Sequence, residues 1–220
     1  MTQATLFFEQ ALSRVTELLN NANGRIIIGI VGKPGAGKST LSSYLIEKLP
    51  KESVALVPMD GYHLSNKELD ALGRRNRKGA PDTFDSNGYA ALLQRIATST
   101  DDVYFPVFHR EIEESIAAEG VVTAKTKIVL TEGNYLLHDQ GGWKNVAPIL
   151  TESWYVEVDD VVRLERLVDR HHFYGKERQA AYDWAHGTDE NNAQLVEGTK
   201  ELADFLKGHG MHINYDAAHV

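Results

Sequence analysis

The chain has 220 residues, of which 42% are hydrophobic and 25% are charged. This ordinary globular composition excludes collagen-like, low-complexity and wholly disordered proteins. The absence of cysteine excludes a disulfide framework, thiolate catalysis and a zinc site built on cysteine. The net charge of −8 argues against nucleic acid as a partner, because such binding depends on neutralisation of phosphates by Lys and Arg.

The amino-terminal segment places no basic residues before its first apolar residues, so it does not have the form of a signal peptide. The densest apolar run covers residues 26–31 and is far shorter than the ~20 residues that span a bilayer. We therefore expect a cytoplasmic protein without a membrane partner. The sequence assigns no oligomeric state.

The predicted elements, in chain order, alternate between helices and strands. The first half predicts an amphipathic helix over 5–20, a strand over 25–31, a helix over 38–48, a strand over 54–58, a short helix over 66–72, a loop over 74–85, a helix over 87–98 and a strand over 103–108. The second half predicts strands over 127–131 and 153–158, helices over 161–171, 176–185 and 191–206, and a last strand over 211–215. This alternation predicts an α/β fold, in which an open parallel sheet carries helices on both faces. We expect one domain over 1–220, with an N-terminal helix within 1–22.

A glycine-rich loop between the first strand and the following helix matches G-x-x-x-x-G-K-[ST]. Glycines let backbone N–H groups surround a phosphate, and the helix directs its positive N-terminus at the same anion. In this P-loop the lysine reaches the β and γ phosphates, and the serine hydroxyl binds Mg²⁺. The sequence therefore predicts a P-loop NTPase that binds ATP through Gly32, Lys33, Pro34, Gly35, Ala36, Gly37, Lys38, Ser39 and Thr40. No N-K-x-D reader of guanine follows at the proper spacing, so ATP is expected over GTP.

Two carboxylates follow predicted strands at the sheet edge where ligands bind in such folds. Asp60 comes after the second strand and has the chemistry of a base that accepts a proton from an attacking hydroxyl. The alternative is an Asp that caps the turn at Gly61. Glu132 ends the 127–131 strand, where P-loop proteins hold Mg²⁺ or its waters, with simple solvation of a strand end as the alternative.

Six segments in a fixed order resemble the uridine kinase, phosphoribulokinase and pantothenate kinase family of P-loop kinases. They are Gly32–Thr40, Met59–Asn66 (MDGYHLSN), Lys78–Asp85 (KGAPDTFD), Pro106–Arg110 (PVFHR), Glu132–Leu137 (EGNYLL) and the arginine helix Arg163–Arg170. Within the family, the chain is most similar to small bacterial kinases associated with fructose transport. The matching segments cover about residues 25–195.

The resemblance implies an ATP-dependent phosphotransferase that acts on a hydroxyl of a small metabolite. It implies Asp60 as the catalytic base beside Lys38, Glu132 with Ser39 as Mg²⁺-associated groups, and a helical lid within 160–195. Arg166 and Arg170 then cover the transferring phosphoryl group, although a solvated arginine face is the alternative for residues 163–170. The acceptor residues that it implies are His63, Asp82, Arg110 and Tyr135. Residues 191–192 fall where relatives approach the nucleotide base.

One position departs from the family pattern, because this chain has His109 where relatives often carry Asp before the arginine. We rank a sugar first as the acceptor, a nucleoside second and pantothenate third, and the sequence does not name it. An ATP-hydrolysing regulatory switch is the alternative from another functional class.

Overall fold

The computed structural model describes residues 3–204, so the strand expected over 211–215 lies outside the described residues. The helices are α1 (Gln3–Asn21), α2 (Lys38–Lys48), α3 (Asn66–Ala71), α4 (Ser86–Thr98), α5 (Asp160–Phe173), α6 (Arg178–Trp184) and α7 (Glu190–Glu197). The strands are β1 (Ile26–Val31), β2 (Val54–Leu56), β3 (Val103–His109), β4 (Glu114–Val122), β5 (Ile128–Gly133) and β6 (Glu152–Tyr155). Short 3-10 turns punctuate the connections, and a π-helical turn, Ala185–Asp189, joins α6 to α7.

Four strands form the predicted parallel sheet, in the order β2-β5-β1-β6. All six residues of β1 are buried, as expected for a strand covered on both faces. Ile26, Ile28 and Ile30 pack with α1 and α2 in one core cluster. Ile27 and Val31 face the clusters on the other side, which contain residues of α4. The α/β fold with helices on both faces is thus confirmed.

The strand predicted over 103–108 does not belong to this sheet. It pairs antiparallel with β4, and the two strands form a separate two-stranded sheet with an irregularity between Phe105 and Val107, at the proline. Sequence analysis predicted no strand over β4, because ESIAAEGVV lacks the continuous apolar character of the other strands. The hairpin packs closely on the β2 side, since a Cβ added to Gly61 would lie 2.1 Å from the carbonyl oxygen of Pro106.

On two helices the buried side chains differ from those that the sequence predicts. For α1 the spacing of apolar residues predicts a buried face of Phe8, Leu12, Val15 and Leu19. On α1 the fully covered stripe consists of Phe7, Ala11 and Val15, whereas Phe8, Leu12 and Leu19 are only partly buried.

None of the described helices is long and apolar enough to cross a membrane.

On α5 the spacing of Val161, Leu164 and Val168 predicts one apolar face, and this prediction is wrong at its first position, because Val161 is 65% exposed. The helix instead buries Arg163 completely, together with Leu167. Arg163 therefore does not belong to the solvated arginine face that the sequence suggested. Its guanidinium pairs with Asp160 at 2.8 Å and with Glu190 of α7.

The P-loop is held between α5 and the sheet. Gly37, the N-cap of α2, has φ +94°, which a residue with a side chain adopts only with strain. A Cβ at Gly35 would lie 2.8 Å from the Arg163 carbonyl oxygen and 2.9 Å from Leu167. The loop thus requires glycine at both positions. Gly37 is needed for its positive φ, and Gly35 is needed both for a positive φ and for the close approach of α5.

Replacement of Arg163 by Met should lower the free energy of unfolding by about 1–3 kcal/mol, because it removes the buried hydrogen bonds that join α5 to Asp160 and to Glu190 of α7. Urea denaturation followed by circular dichroism measures the loss. Arg178→Met is the matched control, since Arg178 is 70% exposed and meets Asp169 only at 3.5 Å. The control should change stability by ~0.5 kcal/mol or less. Equal stability of the two variants would contradict a structural role for Arg163.

Candidate active site

The carboxyl ends of three strands bring the predicted functional segments to one edge of the sheet. Val31 of β1 lies in register with Gly133 of β5 and with Tyr155 of β6, so the P-loop emerges beside Glu132. The 3-10 turn Met59–Tyr62 follows β2 on the far side of β5 and carries Asp60. A cavity of about 640 Å³ opens at this edge. The sequence-predicted residues that line it are Pro34, Gly35, Gly37, Lys38, Ser39, Thr40, Asp60, His63, Arg110, Glu132, Arg166 and Arg170.

Lys38 is fixed by three acceptors. Its Nζ donates to the carbonyl oxygens of Gly32 at 2.8 Å and Lys33 at 3.0 Å, and to Oδ1 of Asn134 at 2.8 Å. Burial lowers the pKa of Lys38 to about 8, although the carboxylates of Glu132 and Asp60 oppose that shift. The P-loop thus presents a partly desolvated ammonium group, whose charge an incoming phosphate would stabilise.

Glu132 lies across the cavity floor from the P-loop helix. One carboxylate oxygen accepts a hydrogen bond of 2.7 Å from the Ser42 hydroxyl, and Ser42 also bonds the carbonyl of Ser39. Burial raises the pKa of Glu132, so the positive charge around it does not fully compensate its desolvation. Hydroxyl and carboxylate oxygens of Ser39 and Glu132, accompanied by phosphate and water oxygens, suit a hard divalent cation. These residues therefore fit Mg²⁺.

Asp60 is half-buried and paired with an arginine of the hairpin. Nη2 of Arg110 lies 2.8 Å from Oδ2 of Asp60. Burial alone would raise the pKa of Asp60, but the cations around it, among which Arg110 has the largest effect, hold it below its usual value. Asp60 is consequently ionised at neutral pH and able to accept a proton.

His63 stands beside Asp60 between two aromatic rings, with centroids 4.0 Å from Phe84 and 4.6 Å from Phe108. Its Nδ1 lies 2.8 Å from the carbonyl oxygen of Asp60, and because a carbonyl only accepts, Nδ1 carries the hydrogen. Burial lowers the pKa of His63, which favours the neutral ring. The remaining ring nitrogen is then a hydrogen-bond acceptor.

Two arginines of α5 reach the cavity from above the P-loop. Nη1 of Arg166 lies 3.6 Å from where a Cβ of Gly37 would be. Arg170 has a buried Nε without a hydrogen-bond partner among the described residues. Burial and the nearby Arg110 lower the pKa of Arg170, so the guanidinium groups of Arg110 and Arg170 repel each other. An anion between them would relieve that repulsion.

The side of the cavity beneath α6 and α7 is lined by Lys176, Trp184, Asp189 and Asn192. The Lys176 ammonium lies 4.5 Å from the centroid of the Trp184 ring. Asp189 accepts a hydrogen bond of 2.7 Å from His171 and comes from the π-helical turn, a distortion often found at functional sites. Of the two asparagines suggested near the nucleotide base, Asn192 lines the cavity.

Some sequence-predicted residues lie elsewhere. The Lys33 side chain turns away from the cavity and pairs with Asp160 at 2.9 Å and with Glu197 at 3.2 Å. The Asp82 carboxylate is held by Arg77 and does not line the cavity, contrary to the expected position of a substrate ligand.

Tyr135 is also absent from the cavity wall. Its buried hydroxyl donates a hydrogen bond of 2.5 Å to the carbonyl oxygen of Gly79, so it supports the loop that borders the site. The backbones of Gly32 and Ala36 shape the P-loop from behind the lining residues. The substrate-binding roles of Asp82 and Tyr135 remain predictions, and this conformation places neither at the cavity surface.

The departure at His109 has a local explanation. Its ring nitrogens lie 2.9 Å from Glu111 and 2.6 Å from Glu119, both on the β3–β4 hairpin. These carboxylates raise the pKa of His109, which favours its charged form. His109 thus ties the hairpin together, and the position does not line the cavity.

Sequence reasoning missed several groups that complete the site. Ser42 lies three residues after Ser39, on the same side of α2, and this spacing is a signal that could have found it. Asn134 follows Glu132 by two residues at a strand end. Arg75 and Lys78 belong to the basic segment 74–78, which the sequence predicts as a loop at the substrate mouth, with a solvated surface loop as the alternative. Glu113 carries no such signal, because the hairpin and this loop meet only in the folded structure.

The comparisons with known proteins agree with this geometry. No protein-family model matches the chain. A Schizosaccharomyces pombe protein, whose name assigns it provisionally to the uridine kinases, is 33% identical over 173 residues, which cover 74% of this chain and 73% of that protein. The uncharacterised Escherichia coli protein YggC is 32% identical over 180 residues, 80% of this chain and 74% of its own.

Solved structures give the same result. A kinase from Silicibacter sp. TM1040, assigned provisionally to a fructose transport system, matches with a TM-score of 0.76 and 36% identity over 90% of this chain and 95% of that chain. D-glycerate 3-kinase from Cryptococcus neoformans matches with a TM-score of 0.63 at 12% identity, which supports the fold alone. The chain is therefore a small-molecule kinase and belongs to the uridine kinase, phosphoribulokinase and pantothenate kinase family of P-loop kinases.

Proposed function

We propose that this kinase transfers the γ-phosphoryl group of Mg·ATP to a hydroxyl group of a small polar metabolite, with a sugar as the first choice. The observation that carries the proposal is the presence of Lys38, Asp60 and Glu132 around one cavity, close enough that both carboxylates affect the pKa of Lys38. A phosphate-binding cation, an ionised base and a metal-binding carboxylate are the parts that phosphoryl transfer to an alcohol requires.

In this reaction the acceptor oxygen forms a bond to the γ-phosphorus while the bond from that phosphorus to the bridging β–γ oxygen breaks and ADP leaves. The acceptor proton passes to the Asp60 carboxylate, whose lowered pKa keeps it ionised at neutral pH. Lys38 and the backbone of the P-loop hold the phosphates. Arg166 and Arg170 supply positive charge where the transferring group develops negative charge.

Ser39 and Glu132 would hold Mg²⁺, which would supply positive charge to offset part of the charge of the phosphates. Ser42 orients the Glu132 carboxylate through its hydrogen bond of 2.7 Å. His63, neutral and protonated on Nδ1, offers its other nitrogen to an acceptor hydroxyl. The cavity thus contains several groups that accept hydrogen bonds from hydroxyls, namely Asp60, His63 and Glu113. These groups favour a polyhydroxylated substrate.

The proposal is tested by a screen of ADP release with sugars, nucleosides and pantothenate, each added to the protein with Mg·ATP. At least one class should accelerate ADP release at least tenfold over the rate with water alone, and the phosphorylated product should be found by mass spectrometry. If the protein binds ATP but no acceptor accelerates ADP release, the result would favour the regulatory switch instead.

Lys38→Met should abolish most of the ATP affinity, because it removes the cation at the phosphates. In the wild-type protein, ATP affinity should fall about tenfold between pH 7 and pH 9, since the free lysine, with a pKa of about 8, must be protonated when the phosphates bind. Calorimetric titration at each pH measures both effects. Lys48→Met, at the exposed end of α2, is the matched control and should keep the wild-type profile. Unchanged binding by the Lys38 variant would contradict the assignment.

Asp60→Asn should lower kcat about 10²–10⁴-fold, because it keeps the shape of the side chain but removes the proton acceptor. ATP affinity should change little, since the P-loop holds the phosphates without Asp60. Asp70→Asn, on the exposed surface of α3, is the matched control and should retain full turnover. If Asp60 serves only to pair with Arg110 or to cap its turn, the variant loses ~1 kcal/mol of stability and keeps more than about a tenth of its turnover.

A further inference from the structure

The cavity contains more positive charge than its own carboxylates neutralise. Seven lysines and arginines line it, against four carboxylates, in a chain whose net charge is −8. The effects on pKa show mutual repulsion among these cations: Arg110 lowers the pKa of Lys38, of His63 and of Arg170. Mg·ATP brings about two negative charges, which leaves an excess of about one positive charge for the acceptor to meet.

This excess lies partly away from the phosphate-binding loop, in the acceptor half of the cavity, defined as Asp60, His63, Arg75, Lys78, Arg110 and Glu113. Lys78 is only 8% exposed, and its Nζ donates to Oδ1 of Asn66 at 2.7 Å and to the carbonyl oxygen of Glu113. It also lies 5.1 Å from the centroid of the Phe108 ring. Lys78 is therefore a fixed cation in the wall, and it is not free to swing into solvent.

The two arginines of the acceptor half each meet one carboxylate through a single nitrogen. Arg75 approaches Glu113 at 3.5 Å, and Arg110 meets Asp60 through Nη2 at 2.8 Å. Both arginine side chains retain about 41–42% of their exposed area. Guanidinium groups suit oxyanions because they donate two parallel hydrogen bonds in a planar fork, and neither arginine makes such a paired contact within residues 3–204.

We propose that the acceptor alcohol carries an oxyanion, a carboxylate or a phosphate, which Arg75 and Arg110 bind. This inference rests on the proposed kinase function and defines its substrate class. Glu113 and Asp60 then face the hydroxyl groups of the same molecule. An oxyanion also competes with Asp60 for Arg110, which frees the Asp60 carboxylate for the hydroxyl that is to be phosphorylated.

The release of Arg110 has a consequence for the base. Among the neighbours that lower the pKa of Asp60, Arg110 has the largest effect. When Arg110 turns to the oxyanion, the pKa of Asp60 rises, and a carboxylate with a higher pKa accepts a proton more readily. A neutral alcohol leaves the Asp60–Arg110 pair intact and gains no such activation.

Triplets of related compounds test the inference: glycerol, glycerate and glycerol 3-phosphate; ribose, ribonate and ribose 5-phosphate; glucose, gluconate and glucose 6-phosphate. In at least one triplet, an oxyanion member should have a kcat/KM at least tenfold above that of its neutral member. The carboxylate and phosphate arms show which oxyanion is preferred. A neutral member that is preferred in every active triplet would leave the kinase function intact and overturn the oxyanion.

Arg75→Gln should lower kcat/KM for the preferred oxyanion acceptor about 10–100-fold and leave the KM for ATP unchanged. The preference over the neutral member should shrink by the same factor, a change that a purely structural role would not produce. Arg178→Gln, exposed and outside the cavity, is the matched control and should keep the wild-type preference. Wild-type preference in Arg75→Gln would overturn the inference.

Binding is measured separately from turnover. The protein is loaded with Mg²⁺ and a non-hydrolysable ATP analogue and then titrated with the carboxylate and phosphate compounds by calorimetry. Saturable binding, weakened by Arg75→Gln and by added salt, is the expected result. If none of the oxyanions binds at millimolar concentration, the inference fails. If they bind but never accelerate ADP release, the oxyanion site stands and the kinase proposal fails.

Discussion

The ammonium group of Lys38 is held at the point where β1 and β5 end, by two carbonyl oxygens of its own loop and by Asn134, which directly follows β5. That contact connects the P-loop to the strand that carries Glu132, and it fixes the distance between the phosphate-binding and metal-binding parts of the site. It depends in turn on the loop conformation, which glycine at position 37 permits and which α5 supports from above. Buried Arg163 fastens α5 in that place through Asp160 and Glu190.

The same arrangement leaves buried charges without full compensation. Burial lowers the pKa of Lys38 and Arg170 and raises that of Glu132, so each group is held where its ionised form is costly. A nucleotide with its metal supplies the missing opposite charges. Groups that are already oriented and partly desolvated need little rearrangement when charge develops during the reaction, and this preorganisation is usually the largest electrostatic contribution to catalysis.

Much of the nucleotide half could be predicted from the sequence, because it depends on local patterns. An apolar strand, a glycine-rich loop and a helix stand consecutively in the chain, and Glu132 follows its own strand directly. Predictions failed where burial overrides local pattern. Arg163 is predicted in the arginine helix of a lid, with a solvated face as the alternative, yet three polar partners across two helices and the P-loop allow it to be buried. Asp82 remains a predicted substrate ligand, although in this conformation Arg77, five residues earlier, holds its partly exposed carboxylate away from the cavity wall.

The acceptor half was less predictable, and the reason is also physical. It is built from a hairpin, two 3-10 turns and a short helix, which meet through side chains such as Lys78 and Glu113 and not through the main parallel sheet. β4 itself is polar and is identified only by its pairing with β3. The lining residues Arg75, Lys78, Arg110 and Glu113 lie outside the strands of the parallel sheet, so changes at these positions need not disturb the sheet or the P-loop. A family that keeps one phosphate donor can therefore change its acceptor by altering the hairpin and the 75–79 loop. The acceptor must consequently be inferred from the charges and hydrogen-bonding groups that these two segments bring together.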